Sequence, residues 1–258
     1  MKAPFWKMSG AGNDFVLLAG QPKGTSGPAL ARRLCDRRRG VGADGLLILS
    51  RRAGRVRADY WNSDGSAAFC GNGSRCAALW AAQRRWVGAR ISLDTARGPV
   101  TARLTGKGRA EVSMPAPTGL ALGKRLKVLA RTLTVHFVDT GVPHAVVLVP
   151  DVEKVDVRAL GRALRFHAAF GKAGANVDFV SDHGDRLSLR TYERGVEDET
   201  LACGTGVVAA AAVARALGHR ASPVRVRVRG GEELTVSLDR GARLEGPGRV
   251  TFTGEIEL

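Results

Sequence analysis

Hydrophobic and polar positions follow the same order twice along this chain. In the first half, RVRADYW (55–61) alternates with the period of two of a half-buried strand. A polar stretch, Asn62 to Phe69, comes next. It leads into a nearly continuous apolar run from Cys70, which predicts a helix to about Val87. ARISLDT, PVTARLT and RAEVSMP then read as three strands separated by Gly or Pro turns. In the second half RLSLRTY predicts a strand, Glu193 to Ala202 a loop, and a second apolar run from Cys203 a helix to about Leu217. Gly218 is a fitting C-cap for that helix, and PVRVRVRG with EELTVSLD predicts a hairpin around Gly230-Gly231.

The two apolar runs open alike, as CGNGSRCAALW from Cys70 and CGTGVVAAAAV from Cys203, nearly half the chain apart. A repeat of that size predicts two copies of one structural unit. Ala77, Ala78, Leu79, Ala81 and Ala82 leave the first helix little polar face, and Val207 to Ala214 leaves the second none. A helix apolar on all sides must be enclosed by protein. The expected fold class is therefore α+β: two pseudo-symmetric domains, each a β-rich shell around a central apolar helix. The Pro- and Gly-bearing stretch MPAPTGLALG (114–123) marks the boundary, giving halves 1–116 and 117–246, with the C-terminal strand near 247–258 packing back on the first half. The helix N-termini, each carrying a cysteine, are expected to meet where the halves adjoin, a usual place for a small-molecule site.

Bulk properties narrow the function classes. At 258 residues, with 44% hydrophobic and 25% charged content, the composition is that of a soluble globular protein. The N-terminal MKAPFWKMSGAGNDF lacks the apolar stretch of a signal peptide, and the longest near-apolar run, Leu201 to Ala214, is too short to span a bilayer. The expectation is a cytoplasmic protein with no membrane partner. A net charge of +16 raises the question of nucleic acid. The basic residues are scattered, however, with only short clusters such as Arg37-Arg38-Arg39, and no zinc finger or aromatic-rich RNA-binding signature is present. Attraction of an anionic small substrate fits the charge equally well. Four cysteines in a chain this long make no disulfide scaffold, and the six-residue spacing of Cys70 and Cys76, with no histidine near, makes no zinc site. Cys35, after the helical ALARRL, and Cys76 read as small core residues.

A cysteine opening a Gly-rich helix has a specific chemistry. The first N–H groups of a helix are unpaired and its dipole is positive there, so a carboxylate fits directly. The same field favours a thiolate. Two such cysteines suit a two-base racemase, in which one thiolate removes an α-proton while the thiol on the other face returns one. By itself Cys-Gly-x-Gly is a weak signal; its flanks sharpen it. MSGAGNDF (8–15), NSDGSAAFCGNGSRC (62–76), TGVPH (140–144), GANVDFV (174–180) and YERGVEDETLACGTG (192–206) together resemble the diaminopimelate epimerases, in the family's order. These are pyridoxal-phosphate-independent enzymes that interconvert LL- and meso-diaminopimelate, a lysine and peptidoglycan precursor.

The resemblance implies that Cys70 and Cys203 are the two acid-base residues, with Glu193 and His144 in the catalytic set and His144 near the reacting amine. It implies that Gly71, Asn72, Gly204 and Thr205 offer backbone N–H groups to the reacting carboxylate. Asn13, Asn62, Asn176, Glu193 and Arg194 would hold the substrate's amino groups and distal end. No cofactor and no metal are implied, and the family is commonly a homodimer. Three positions depart from the family pattern: Val142 stands where many members have asparagine, Gly45 where they have glutamine, and the loop from Asn62 to Cys70 is one residue shorter. Val142 leaves a racemase of another amino acid, histidine or proline-type, as the alternative. A basic nucleic-acid-binding protein on an inactive enzyme fold is the alternative from another class.

Overall fold

The computed structural model describes residues 2–52 and 55–257. They divide into two compact units: the residues up to Ser113 together with those from Glu245 onward, and Met114–Leu244.

In the first unit β1 (Lys2–Gly10) and β2 (Asn13–Ala19) form an antiparallel hairpin. Its two turn residues, Ala11 and Gly12, both have positive φ, 57° and 98°. That geometry matches the twist of the flanking strands. α1 (Gly27–Leu34) crosses to β3 (Gly45–Arg52), which lies parallel to β2, and β4 (Arg55–Asn62) returns antiparallel to β3. α2 (Gly71–Gln83) makes the second crossover, to β5 (Arg90–Thr95), parallel to β4. β6 (Gly98–Gly106) and β7 (Arg109–Ser113) continue as an antiparallel meander.

The second unit repeats this plan. β8 (Thr118–Val128), β9 (Arg131–Asp139) and β10 (Pro143–Leu148) pair antiparallel in turn. α3 (Val157–Arg165) crosses to β11 (Asn176–Asp182), parallel to β10. β12 (Leu187–Glu193) returns on β11, and the short β13 (Asp198–Thr200) folds back on β12. α4 (Gly204–Ala216) crosses to β14 (Val224–Val228), parallel to β12, and β15 (Glu233–Ser237) completes a hairpin. β16 (Arg243–Pro247) leads into β17 (Arg249–Glu257), which pairs antiparallel with β1 from Lys2 to Ser9. This is the expected α+β class. Among the described residues, no helix is long and apolar enough to cross a membrane.

The central helices are enclosed as their composition demands. Every residue of α2 from Gly71 to Ala81 is buried, with strands of its own unit packed around it. In α4, Gly206 to Ala211 together with Val213 and Ala214 are buried against β9, β10, β11, β12, β14 and β15. Each fully buried Val or Leu contributes about 1.5–3 kcal/mol. Alanine adds little burial energy but lets strands approach closely. α1 and α3 are amphipathic and conventionally capped: Ser26 Oγ accepts from Ala29 N–H at 3.4 Å, and Asp156 Oδ1 from Ala159 N–H at 3.0 Å.

Four local expectations need correction. α2 ends at Gln83, four residues before Val87. Arg85 takes φ 57°, its N–H bonds Ala82 O, and Trp86 N–H bonds Ala81 O, both at 2.9 Å. This is a Schellman stop built without glycine. Trp86 seals it by packing edge-on against Trp80, with ring centroids 4.9 Å apart. The loop from Glu193 to Ala202 contains β13, and the stretch 114–123 is strand from Thr118 onward. Gly119 and Gly123, at φ 61° and 74°, allow the register shifts that bend β8 along β9. α3 is an addition, because its arginines break up the apolar run and leave a short amphipathic pattern.

A charged network fixes the start of β2. Lys7 Nζ pairs with Asp14 Oδ2 at 2.7 Å and also donates to Gly42 O. Arg37 bridges Asp14 Oδ1 and Asp44 Oδ1, each at 2.8 Å. Partial burial by itself raises the Asp14 carboxyl, but the bonds from Arg37 and Lys7 overcome it and bring the group down to about 2. The depressed value sets the sign of the pH effect. The stabilisation is fully present above the unfolded carboxylate range near 3.8, and is lost as pH falls through about 2. Wild type should therefore exceed Asp14→Asn in denaturant midpoint at pH 7 and at pH 4.5, with the gap closing toward pH 2. A gap independent of pH would show that the charge has no part in it.

α3 lies close against β12. A Cβ on Gly161 would fall 2.5 Å from Tyr192 Cβ. Gly161→Ala is expected to lose about 1–3 kcal/mol through overpacking, against a helix-propensity gain of at most about 1 kcal/mol. Net destabilisation in urea titration is the expected result, and a stabilised variant would contradict this packing.

Candidate active site

In the first unit, Cys70 is the N-cap of α2, in extended geometry at φ −134° and ψ 111°. Its carbonyl accepts from Ser74 N–H at 2.8 Å, and its Sγ takes the cap position by accepting from Gly73 N–H at 3.3 Å. A sulfur there sits among the unpaired N–H groups of the first turn. Asn72 is buried beside it, and its Nδ2 donates to Asn13 Oδ1 at 2.5 Å. Asn13 in turn donates from Nδ2 to Asp44 Oδ2 at 3.0 Å. The Lys7–Asp14–Arg37–Asp44 network thus sets which way both amides face. The buried Asn72 Oδ1 is left without a partner.

Asn62 closes β4 opposite Gly45, with Nδ2 donating to Ser66 Oγ at 2.9 Å. A Cβ at Gly45 would lie 2.4 Å from the Tyr60 ring. Tyr60 therefore takes the room a longer side chain would need, which accounts physically for the missing glutamine. Arg75, further along α2, is fully buried; its two terminal guanidinium nitrogens are unpartnered, and burial pulls it below the usual arginine range.

In the second unit, Cys203 is the N-cap of α4 at φ −118° and ψ 109°, and its carbonyl accepts from Val207 N–H at 2.9 Å. Backbone geometry and first bond match those of Cys70. Thr205 Oγ1 lies 3.3 Å from Cys203 Sγ, and Thr205 O accepts from Thr140 Oγ1 at 3.1 Å, tying the helix start to the turn before β10. Glu193 ends β12 with Oε2 accepting from Thr200 Oγ1 at 2.9 Å. Asn176 Oδ1 accepts the Arg194 backbone N–H at 2.8 Å, and its Nδ2 donates to Pro143 O at 3.1 Å. Among the described residues, no carboxylate lies within ion-pairing distance of the Arg194 guanidinium, which is half-buried.

His144, the second residue of β10, is fully buried and in register with Asn176. Its Nδ1 lies 2.6 Å from Asp178 Oδ2, while its Nε2 is buried without a partner. Thr191 Oγ1 donates to the other Asp178 oxygen at 2.7 Å. Gly206, in the first turn of α4, is required beside this pair, since a Cβ there would fall 2.4 Å from Asp178 Oδ1.

The thiols outside the helix starts are inert. Burial pushes Cys35 and Cys76 up to about 12. The expectation that a helix N-terminus favours thiolate is overturned at Cys203. Burial raises this thiol well above its ordinary range, the Glu193 and Asp178 carboxylates raise it further, and the Thr205 hydroxyl opposes them only in part. Desolvation and two facing negative charges outweigh the helix dipole.

The first unit thus groups Cys70, Gly71, Asn72 and Asn13, with Asn62 beside the Asp44 end. The second groups Cys203, Gly204, Thr205, His144, Asn176, Glu193 and Arg194. Asp44 and Asp178 are the polar residues that sequence reasoning passed over. Asp178 had a readable signal: in NVDFV it alternates with Asn176 among apolar residues, so both project from one face of the strand.

The sequence profile of the diaminopimelate epimerase family matches residues 5–119 and 136–252. A diaminopimelate epimerase of Aquifex aeolicus is 42% identical over 267 residues, covering 98% of this chain and 94% of that relative. Among solved structures, a Bacillus anthracis phenazine biosynthesis protein of the PhzF family superposes with a TM-score of 0.78 at 12% identity, over 100% of both chains. A probable proline racemase of Agrobacterium radiobacter superposes with a TM-score of 0.75 at 17% identity, over 99% of this chain and 93% of that one. The two structural likenesses show the fold. The profile and the full-length relative show the family: the chain belongs to the diaminopimelate epimerases.

Proposed function

We infer that the protein interconverts LL- and meso-diaminopimelate by two-base proton transfer between its thiols, with no cofactor. One observation carries the reading: each unit places a cysteine as N-cap of an enclosed, glycine-opened helix, with the same backbone geometry in both. The first N–H groups of those helices, at Gly71 and Asn72 and at Gly204 and Thr205, lack intrahelical acceptors and suit a carboxylate. Removing an α-proton drives negative charge onto that carboxylate, so dipoles already aimed at it stabilise the transition state.

On this reading one thiol acts on each face of the α-carbon. A thiolate takes the α-hydrogen as a proton, the electron pair stays delocalised on Cα and the carboxylate, and the opposite thiol protonates the other face. The centre is inverted, and thiol and thiolate have exchanged roles. Burial and the Glu193 and Asp178 carboxylates favour the thiol form of Cys203, which suits it to the proton-donating role. Lysine and peptidoglycan precursor biosynthesis is the corresponding role. A cytoplasmic homodimer completes the reading, and light scattering on the purified protein would test the dimer.

Incubation with LL-diaminopimelate in heavy water, without added cofactor, should yield the meso isomer with solvent deuterium at the inverted α-carbon. Activity that appears only after pyridoxal phosphate is added would falsify the two-thiol reading.

Arg194 tests the substrate. A diamino-diacid needs a cation for its distal carboxylate, and a half-buried guanidinium with no carboxylate of its own suits that task. Arg194→Ala should lower kcat/KM on diaminopimelate by about 2–5 kcal/mol of lost binding, roughly 30- to 5,000-fold. Arg194→Lys should also be impaired, because an ammonium cannot reproduce a planar two-bond grip. Single-carboxylate amino acids, including histidine and proline, should be poor substrates for wild type. Preference for one of them, or an alanine variant with near-normal activity, would remove the substrate assignment and leave the thiol chemistry standing.

A further inference from the structure

His144 and Asp178 meet side chain to side chain, both fully sealed from solvent. Burying a carboxylate is costly unless its oxygens are satisfied. Both oxygens of Asp178 are: Oδ1 accepts from Thr191 Oγ1 at 2.7 Å, and Oδ2 meets His144 Nδ1 at 2.6 Å. The first turn of α4 is pressed against the same carboxylate through Gly206, at a separation that no side chain could share. The positive end of the helix is thus applied to this group. The strands enforce the arrangement. His144 and Asn176 are register partners on parallel β10 and β11, and Asp178 stands two residues along β11, opposite Thr191 on β12.

A carboxylate can only accept a hydrogen bond, so the shared proton lies on His144 Nδ1. In neutral imidazole that leaves the lone pair on Nε2. Nε2 is the one polar atom of the assembly without a partner, although it is fully buried. A buried acceptor left open beside a completed hydrogen-bond chain is arranged to meet something that arrives from outside the apo protein.

We propose that Asp178 is a positioning residue: it holds His144 in the Nδ1–H tautomer so that Nε2 accepts a proton from the reacting groups, with Thr191 fixing the carboxylate in turn. In its kinetic part this rests on the epimerase reading above. The step balances as one proton leaving an N–H of the substrate's reacting ammonium group for Nε2, and returning to that nitrogen in the reverse half of the cycle, with the Nδ1–H bond to Asp178 kept throughout. The Asp178 carboxylate faces the imidazolium so formed and stabilises it without taking the proton. Arg194, Glu193 and Cys203 belong to the same unit.

The test uses the full-length protein labelled with ¹⁵N-histidine. Long-range ¹H–¹⁵N correlation should show His144 with its proton on Nδ1, assigned among the five histidines by the signal that disappears in His144→Gln. Asp178→Asn is nearly isosteric and keeps the Thr191 bond, but its amide N–H donates to Nδ1 and should transfer the ring proton to Nε2. In that variant kcat should fall about 10²–10⁴-fold, the range that acid-base positioning supplies, with KM changed less than about threefold. Thr191→Val should retain the tautomer and lose less than about tenfold. An Nε2–H tautomer in wild type overturns the proposal whether or not the variants fold, and so does an Asp178→Asn enzyme with kcat near normal. If wild type fails to epimerise diaminopimelate while the tautomer switches as stated, the substrate reading falls and the positioning of His144 by Asp178 stands.

Discussion

A helix without a polar face cannot lie on a surface, and each unit of this protein is built around one. α2 is buried along its first eleven residues and α4 along nearly all of its apolar run. A shell of strands is the economical way to enclose a short helix, and the crossovers that lay β5 beside β4 and β14 beside β12 are those helices themselves. The backbone groups along each helix are paired internally, so its polar character is concentrated at its ends. The C-terminal ends are closed by Schellman bonds, at Arg85 in one unit and Gly218 in the other. What remains available is the N-terminal turn, and there each unit has a cysteine followed by glycine. The packing constraint and the placement of the two cysteines are one feature of the fold.

The polar residues around those N-termini are largely engaged with one another, and this gives them fixed orientations. Asn13 uses both ends of its amide, on Asp44 and on Asn72, and Asn176 uses both of its own on backbone. An amide bonded in this way still has one further N–H and one further lone pair, now with settled directions. Preorganisation of this kind matters where a transition state is to be stabilised by dipoles that need not reorient. The two units reach it differently. The first draws on a partly exposed cluster of Lys7, Asp14, Arg37 and Asp44, while the second draws on the sealed His144–Asp178–Thr191 chain.

Cys203 shows how competing fields resolve in such a setting. The helix dipole favours thiolate, but its effect is worth at most about 2 kcal/mol even in a partly buried geometry. Full burial together with the Glu193 and Asp178 carboxylates works in the opposite direction and prevails.

Periodicity by itself determined much of this protein. Strand alternation at 55–61 and 186–192, the two Cys-Gly runs, and the glycine stop at 218 all depend on interactions within a few residues, so local pattern suffices to locate them. Side chains that recur with the motifs, from Asn13 to Arg194, were legible for the same reason, as residue types at set spacings. The short α3 escaped because its arginines leave only an amphipathic remnant, and α2 was overrun because a left-handed Arg85 is tolerable only once Trp86 has Trp80 to pack against. The roles of Asp44 and Asp178 were decided by tertiary structure alone. Each partners a residue about thirty positions away, Asn13 in one case and His144 in the other, brought within hydrogen-bond reach by a parallel strand pair that a helix must first cross. The protonation of Cys203 was decided in the same way, because desolvation and the approach of two carboxylates exist only after the chain has closed around the helix.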